Sequence, residues 1–196
     1  MWNLSIMRIL YVRGKGTDLS ATPDIQKKVL DYYEGRLRTL LHPHFVKVAE
    51  LDGSAKKSRW TPILDHLNLD KYDVIIGHSS GVHAVLRQAE TRPLQNLILT
   101  SATDQHHNNK SELRTGWFDS PWDWKSICSN TRKIIVCNGG NDEYIPSIEG
   151  LNLSKKLNCE WHLVKEFTHS DWYYVDLVNG KNINLELLKL VEKIII

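Results

Sequence analysis

Residues 74–81 have the sequence VIIGHSSG, and this stretch decides the fold of the chain. Its β-branched apolar run indicates a strand that is buried on both faces, as strands of parallel sheets are. The residues that follow match the pattern G-x-S-x-G, in which a serine occupies a strained turn between a strand and a helix. Gly77 and Gly81 leave room where the two elements cross, because a Cβ at either position would collide. The stretch predicts a strand, a turn that lifts the hydroxyl of Ser79 above the sheet edge, and a helix.

Apolar runs of this kind alternate with helix-like stretches along the chain. The predicted strands are Ser5–Val12, Phe45–Leu51, Tyr72–His78, Leu94–Ala102, Lys133–Cys137 and Cys159–Phe167. The predicted helices are Pro23–Leu41, Ser58–Leu69, Ser80–Glu90, Ser147–Leu157 and Asn184–Ile194, with Thr22 as the N-cap of the first. Alternation of strands and helices predicts an α/β domain with a parallel sheet and right-handed crossovers.

The composition is that of an ordinary globular domain. The chain has 196 residues, of which 41% are hydrophobic and 24% charged, and its net charge is +2. These values exclude a disordered tail, a collagen and a coiled coil. So small a basic surplus is not typical of a nucleic-acid-binding protein. We predict a single domain over residues 1–196.

Few features point to a compartment or to a metal. No stretch reaches the roughly 18 apolar residues of a membrane-spanning helix, and the first residues lack the pattern of a secretory signal. Cys128, Cys137 and Cys159 form neither a disulfide framework nor a CxxC metal site. His42 and His44 have no third ligand nearby. We therefore expect a cytoplasmic protein with no membrane contact, no metal and no cofactor.

A serine in such a turn needs a base and an acid, which follow it in the order Ser, Asp or Glu, His. Asp142 follows the fifth predicted strand, and His169 follows the sixth. With Ser79 they fall at the carboxyl ends of strands, where ligands gather in α/β sheets. Glu143 is the rival acid, and Asp171 is a more distant one. This arrangement predicts acyl transfer by a nucleophilic serine.

Several motifs add a more specific resemblance. They are residues 75–81, Ala89-Glu90-Thr91, residues 116–124 (GWFDSPWDW), Asp142 with Tyr144-Ile145-Pro146, and His169. In these motifs the chain resembles the small α/β-hydrolase serine hydrolases typified by retinoblastoma-binding protein 9. The resemblance covers nearly the whole chain and is best from Tyr72 onward. It implies a compact α/β-hydrolase-type three-layer sandwich without a large cap, and a Ser79–Asp142–His169 triad. It also implies a six-stranded parallel sheet in the order second, first, third, fourth, fifth, sixth.

The chain departs from the family pattern without losing a catalytic group. Glu143 stands where a proline often follows the acid, Thr168 where a glycine often precedes the histidine, and Ser120 where a basic residue usually precedes Pro121. The family's Leu-x-Cys-x-Glu motif corresponds to residues 67–71, which have the sequence LNLDK and lack both the Cys and the Glu. We therefore expect no retinoblastoma-type pocket protein as a partner.

The remaining site predictions concern the oxyanion hole and the substrate. The backbone N–H groups of Ser80 and Lys15 are the candidate donors, because the nucleophile turn and the loop after the first strand flank the topological switch point. Residues 103–129 are too long for an ordinary connection and are predicted to be a lid-like insertion. Its aromatic residues either wall an apolar acyl pocket or pack the insertion onto the sheet. They are Trp117, Phe118, Trp122 and Trp124.

The predicted activity is hydrolysis of a small-molecule ester, thioester or amide through an acyl-enzyme. Two alternatives stay open. A catalytically silent scaffold with this fold would act as a protein-interaction module, since fold does not imply function. An acyltransferase would use the same triad and would differ only in its products.

Overall fold

The computed structural model describes residues 6–16, 23–106, 108–172 and 185–195. The strands are β1 (Arg8–Val12), β2 (Phe45–Val48), β3 (Val74–His78), β4 (Leu94–Thr100), β5 (Thr131–Gly139) and β6 (Glu160–Val164). The helices are α1 (Pro23–Leu40), α2 (Lys57–His66), α3 (Ser80–Ala89), α4 (Lys110–Leu113), α5 (Trp124–Asn130), α6 (Ser147–Leu157) and α7 (Leu185–Ile194), with one 3₁₀ turn at Leu69–Lys71. The predicted element ends Ser5, Thr22 and Asn184 lie outside the described residues.

The strands form one parallel sheet in the order β2-β1-β3-β4-β5-β6. The predicted α/β class, the six-stranded parallel sheet and its strand order are thus confirmed. Some strand ends differ from the prediction. The second strand ends at Val48, because the N–H of Leu51 donates to the carbonyl of Ala49 in a tight turn. Leu51 is nevertheless buried, which explains why its apolar character extended the predicted strand.

Two apolar clusters cover the two faces of the sheet. Because side chains alternate along a strand, Ile75 of β3 packs in one cluster, while Val74 and Ile76 pack in the other. The first cluster also holds buried residues of α2, α3, α5 and α6, and the second holds those of α1 and α7. The molecule is therefore the predicted three-layer sandwich.

Strand β2 lies at the edge of the sheet, and α1 covers its open side. The N–H of Val48 donates to Glu34 Oε2 at 3.2 Å, and Arg38 Nε donates to the carbonyl of Val46 at 3.2 Å. Glu34 and Arg38 also pair with each other at 2.5 Å. Because an unpaired strand edge invites pairing with another chain, these two side chains protect the edge.

Arg87 of α3 anchors the second half of the insertion at residues 103–129. Its buried guanidinium donates to the carbonyls of Trp117, Ser120 and Pro121 at distances between 2.6 and 3.1 Å. It also stacks over the Trp122 ring, 3.8 Å from the centroid. The buried guanidinium thus provides the hydrogen-bond donors for three carbonyl groups of this segment.

The crossing of α3 over β1 depends on Gly81. A Cβ at this position would lie 2.1 Å from the carbonyl oxygen of Val12 and 2.7 Å from that of Arg13. Both atoms belong to the backbone, so a larger residue requires the helix or the strand to move. Gly35 of α1 is the opposite case, because a Cβ there would meet nothing within 4 Å.

We therefore expect Gly81→Ala and Gly35→Ala to change stability in opposite directions. Overpacking at Gly81 should lower the free energy of unfolding by about 1–3 kcal/mol or more, whereas alanine at Gly35 should raise it by about 0.5–1 kcal/mol. Urea unfolding of the two variants measures the difference. Equal stability of both variants would show that α3 does not pack against β1 as described.

Candidate active site

Ser79 occupies the turn between β3 and α3 in a strained conformation. Its φ of 52° and ψ of −121° lie in a region that residues with a side chain rarely adopt. The N–H of Ser79 donates to the carbonyl of Thr100 on the neighbouring strand at 3.0 Å, which holds the turn. Strain of this kind costs on the order of 1–3 kcal/mol and is concentrated at functional sites. The side chain is partly exposed, as a nucleophile must be.

Asp142 holds the imidazole of His169. Nδ1 of His169 lies 3.0 Å from each carboxylate oxygen of Asp142. The Asp142 side chain is fully buried, and that of His169 is 13% exposed. Backbone N–H groups of Tyr144 and Ile145 donate to Asp142 Oδ1 at 3.0 and 2.9 Å, which fixes the carboxylate. Nδ1 therefore carries a proton toward Asp142, and Nε2 is left as the proton acceptor.

The environment keeps Asp142 ionised. Burial alone would raise the pKa of this carboxyl, but the hydrogen bond and charge of His169 and the backbone N–H of Ile145 outweigh it, so that the pKa lies below its usual value. Asp142 therefore remains a carboxylate at neutral pH and stabilises a positive charge on His169.

The rival acids contact other groups. Glu143 Oε2 accepts from the backbone N–H of His169 at 3.2 Å, so it positions the loop and not the ring. Asp171 Oδ2 accepts from the backbone and the hydroxyl of Thr168 at 2.7 and 2.8 Å. Among the described carboxylates, Asp142 is the one that reaches the imidazole.

His78 packs against the site, a contact that the sequence analysis did not foresee. Its ring centroid lies 4.9 Å from that of His169, and its Nδ1 lies 3.0 Å from the Thr100 hydroxyl. Burial, with the charge of His169, places the pKa of His78 well below its ordinary value. His83, which is also buried, bonds the carbonyl of Thr103 through Nε2 and has its pKa lowered by burial to about 4. Both rings are therefore neutral near pH 7 and add no charge beside His169.

The predicted oxyanion donors lie beside the nucleophile. A Cβ on Gly14 would lie 2.8 Å from Cβ of Ser79, so the loop after β1 touches the serine. The N–H of Gly16 is already used, because it donates to the carbonyl of Gly53 at 3.2 Å. Within the described part of the chain, the N–H groups of Lys15 and Ser80 have no such acceptor. Their role as oxyanion donors stays a prediction.

Ser79 and His169 open on a cleft of about 520 Å³. Most of its other described lining residues are polar, and they include Ser80, Lys15, His106, Gln105, Asn109 and Glu112. The Lys15 ammonium reaches across to α4, where it bonds the Ser111 hydroxyl and lies 3.6 Å from Glu112 Oε1. The side chain of Lys15 thus links the loop after β1 to α4, a contact that the sequence did not predict.

The four aromatic residues of the insertion do not line the described extent of this cleft. Trp117 is fully buried and donates from Nε1 to the carbonyl of Ala55 at 2.7 Å. Phe118, Trp122 and Trp124 are partly buried and pack on the same apolar cluster. Of the two interpretations, the contacts favour packing of the insertion onto the sheet over an apolar acyl pocket. The four rings pack in or on the apolar cluster, and Arg87 stacks over the ring of Trp122.

The described residues show no metal-binding cluster of three or more His, Cys, Asp or Glu side chains. Among the described helices, none has the length and apolar character that crossing a membrane requires.

Comparison with known proteins agrees with this architecture. The chain matches no family model. Over 117 residues it is 32% identical to the rat (Rattus norvegicus) serine hydrolase RBBP9, a match that covers 59% of this chain and 63% of that protein. The ydeN gene product of B. subtilis shares the fold with a TM-score of 0.69 at 14% identity, over 96% of this chain and 98% of that one. MGS-M2, an α/β hydrolase from a deep-sea metagenome library, has a TM-score of 0.59 at 12% identity, over 100% and 91% of the two chains.

These likenesses define the class: the chain has the α/β-hydrolase fold. Within that class, the sequence match confirms the predicted resemblance to the serine hydrolases typified by retinoblastoma-binding protein 9. The matched segment spans less than two thirds of that relative's length.

Substitution of Asp142 and of Glu143 tests which of the two neighbouring acids acts with His169. Asp142→Asn should lower kcat by roughly 10²–10⁴ with the fold intact, because the amide cannot hold the reactive tautomer of the imidazole. Glu143→Gln should change kcat less than about tenfold, because its amide oxygen can still accept from the backbone of His169. Steady-state kinetics on an activated ester compares them, and a reversed order of the two effects would move the acid role to Glu143.

Proposed function

We propose that this chain is a serine hydrolase that cleaves a small ester, thioester or amide through an acyl-enzyme. One observation carries the proposal: the strained Ser79 turn and the His169–Asp142 pair open on the same cleft. A strained serine alone could be structural, and a His–Asp pair alone could be an ion pair. Their meeting at the carboxyl ends of β3, β5 and β6 is the arrangement that acyl transfer requires.

In the acylation step, Ser79 Oγ forms a bond to the carbonyl carbon of the substrate. His169 Nε2 takes the hydroxyl proton, and the carbonyl oxygen becomes an oxyanion. The imidazolium then gives its proton to the leaving alcohol, thiol or amine as the bond to that group breaks. Asp142 stays ionised throughout and stabilises the imidazolium. The products are a free leaving group and an ester at Ser79.

In the deacylation step, water replaces the leaving group. His169 takes a proton from the water as its oxygen attacks the Ser79 ester, and it returns this proton to Ser79 Oγ when the tetrahedral intermediate collapses. The enzyme is restored and a carboxylic acid is released. An acyltransferase would differ only in admitting another acceptor at this step.

Stabilisation of the oxyanion is assigned to the backbone N–H groups of Ser80 and Lys15. Ser80 begins α3, so the positive end of the helix dipole adds to its donor. Because both donors belong to the backbone, the lysine side chain at position 15 does not prevent its N–H from stabilising the oxyanion. Loss of one such donor typically costs about 10²–10³ in kcat.

The polar cleft supports a small substrate that makes hydrogen bonds. Polar side chains such as Gln105, His106 and Asn109 line the cleft. A long alkyl chain would remove them from water without offering hydrogen bonds, and this opposes binding. We therefore place polar esters, thioesters and aminoacyl amides ahead of lipids as substrates.

A fluorophosphonate probe tests the nucleophile. The wild-type protein should be labelled at Ser79, because the probe reacts with a serine activated by a neighbouring base. Ser79→Ala should abolish labelling, and the control Ser58→Ala, at an exposed serine of α2, should leave it unchanged. Peptide mapping by mass spectrometry identifies the site. A label at another residue, or no label on folded wild-type protein, would contradict the proposal.

A further inference from the structure

A second concavity lies at the opposite end of the sheet from Ser79. It has a volume of about 810 Å³ and is formed by the start of β1, strand β2, the end of α1 and the 3₁₀ turn before β3. Its basic lining residues are Arg8, Arg38, His42, His44, Lys47 and Lys71. We call this set the basic hollow. No Asp or Glu side chain is among the described residues that line it, although the whole chain carries almost as many acidic as basic groups.

Three of the four Arg and Lys side chains of the basic hollow are available to a ligand. Arg38 is bound to Glu34. In contrast, Arg8, Lys47 and Lys71 have exposed side chains and no ion pair with any described residue. Like charges gathered in one hollow raise the local concentration of anions, so the basic hollow attracts negative ligands.

His44 lies in the wall of the basic hollow. This residue is 5% exposed, and its Nδ1 accepts from the backbone N–H of Met7 at 3.4 Å. The proton of the neutral ring is therefore on Nε2, which is buried and has no hydrogen-bond partner among the described residues. A buried donor without an acceptor is unusual.

The size of the hollow and the state of β2 decide the kind of ligand. A volume of about 810 Å³ falls within the range of small-molecule pockets, roughly 300–1,000 Å³. An acidic peptide could bind here most simply by adding a strand to β2. That edge is already occupied, since Glu34 and Arg38 bond the free backbone groups of Val48 and Val46. The hollow therefore fits a compact anion better than an extended chain.

We infer that the basic hollow is a binding site for a small polyanion of the polyphosphate class. Arg8, Lys47 and Lys71 supply both the opposing charge and the N–H donors. Phosphate oxygens accept well from such donors. The site is separate from the cleft at Ser79, because Arg8 begins the strand whose other end leads to the loop beside Ser79.

Isothermal titration with inorganic tripolyphosphate tests this inference. The wild-type protein at low ionic strength should bind one equivalent, and added salt should weaken the binding. The double variant Lys47→Glu/Lys71→Glu should bind at least about tenfold more weakly, because two attractive charges become repulsive. Lys125→Glu/Lys155→Glu changes the net charge equally, at exposed positions on α5 and α6, and should bind as the wild type does.

Two controls show whether binding occurs at the basic hollow and independently of Ser79. Ser79→Ala should bind tripolyphosphate normally, so that failure of the hydrolase proposal does not affect this test. Thermal unfolding confirms that each variant is folded. Three results would overturn the inference: absence of binding to wild-type protein, equal weakening in the two charge-reversed variants, or binding of hexaglutamate peptide but not of tripolyphosphate.

Discussion

The backbone of α3 passes so close to the end of β1 that only glycine fits at position 81, and the geometry of the candidate active site depends on this contact. Gly81 lies against the carbonyls of Val12 and Arg13. The loop after β1 lies against Ser79 at Gly14, and among the described residues no backbone acceptor bonds the N–H groups of Ser80 and Lys15. The strain at Ser79 is tolerated because the apolar β3 strand on one side and the fully buried helix α3 on the other are held by the core.

Most elements of the fold were predictable because they carry a local signal. The short helices α4 and α5 were not predicted, since they lie within the segment 103–129. Continuous apolar runs marked the strands, and the order Ser79, Asp142, His169 along strand ends led to the proposed triad. Strand order came from the resemblance and not from the residues, since periodicity does not say which strands are neighbours. The prediction failed to see tertiary roles: the His78–His169 contact, the reach of Lys15 to α4, and the basic hollow each join residues that are distant in sequence.

The insertion shows why composition alone misleads about a pocket. A segment rich in tryptophan can line a binding site or fill a core, and both uses need the same residues. Here the contacts of Arg87 favour core packing. Its guanidinium donates to the carbonyls of Trp117, Ser120 and Pro121 and stacks on the ring of Trp122. The aromatic half of the insertion is thereby held to α3, and the polar half faces the cleft.

The pH dependence of kcat/KM for p-nitrophenyl acetate tests the account most directly. Only a neutral imidazole can accept the Ser79 proton, so kcat/KM should rise with pH as this base loses its proton and then level off. Because the pKa values of Asp142, His78 and His83 are lowered, the protonation states of these groups stay constant near neutral pH and do not produce this rise. The control variant His106→Gln should keep the same pH profile. A flat profile between about pH 5 and 8, with the protein folded throughout, would show that His169 is not the general base.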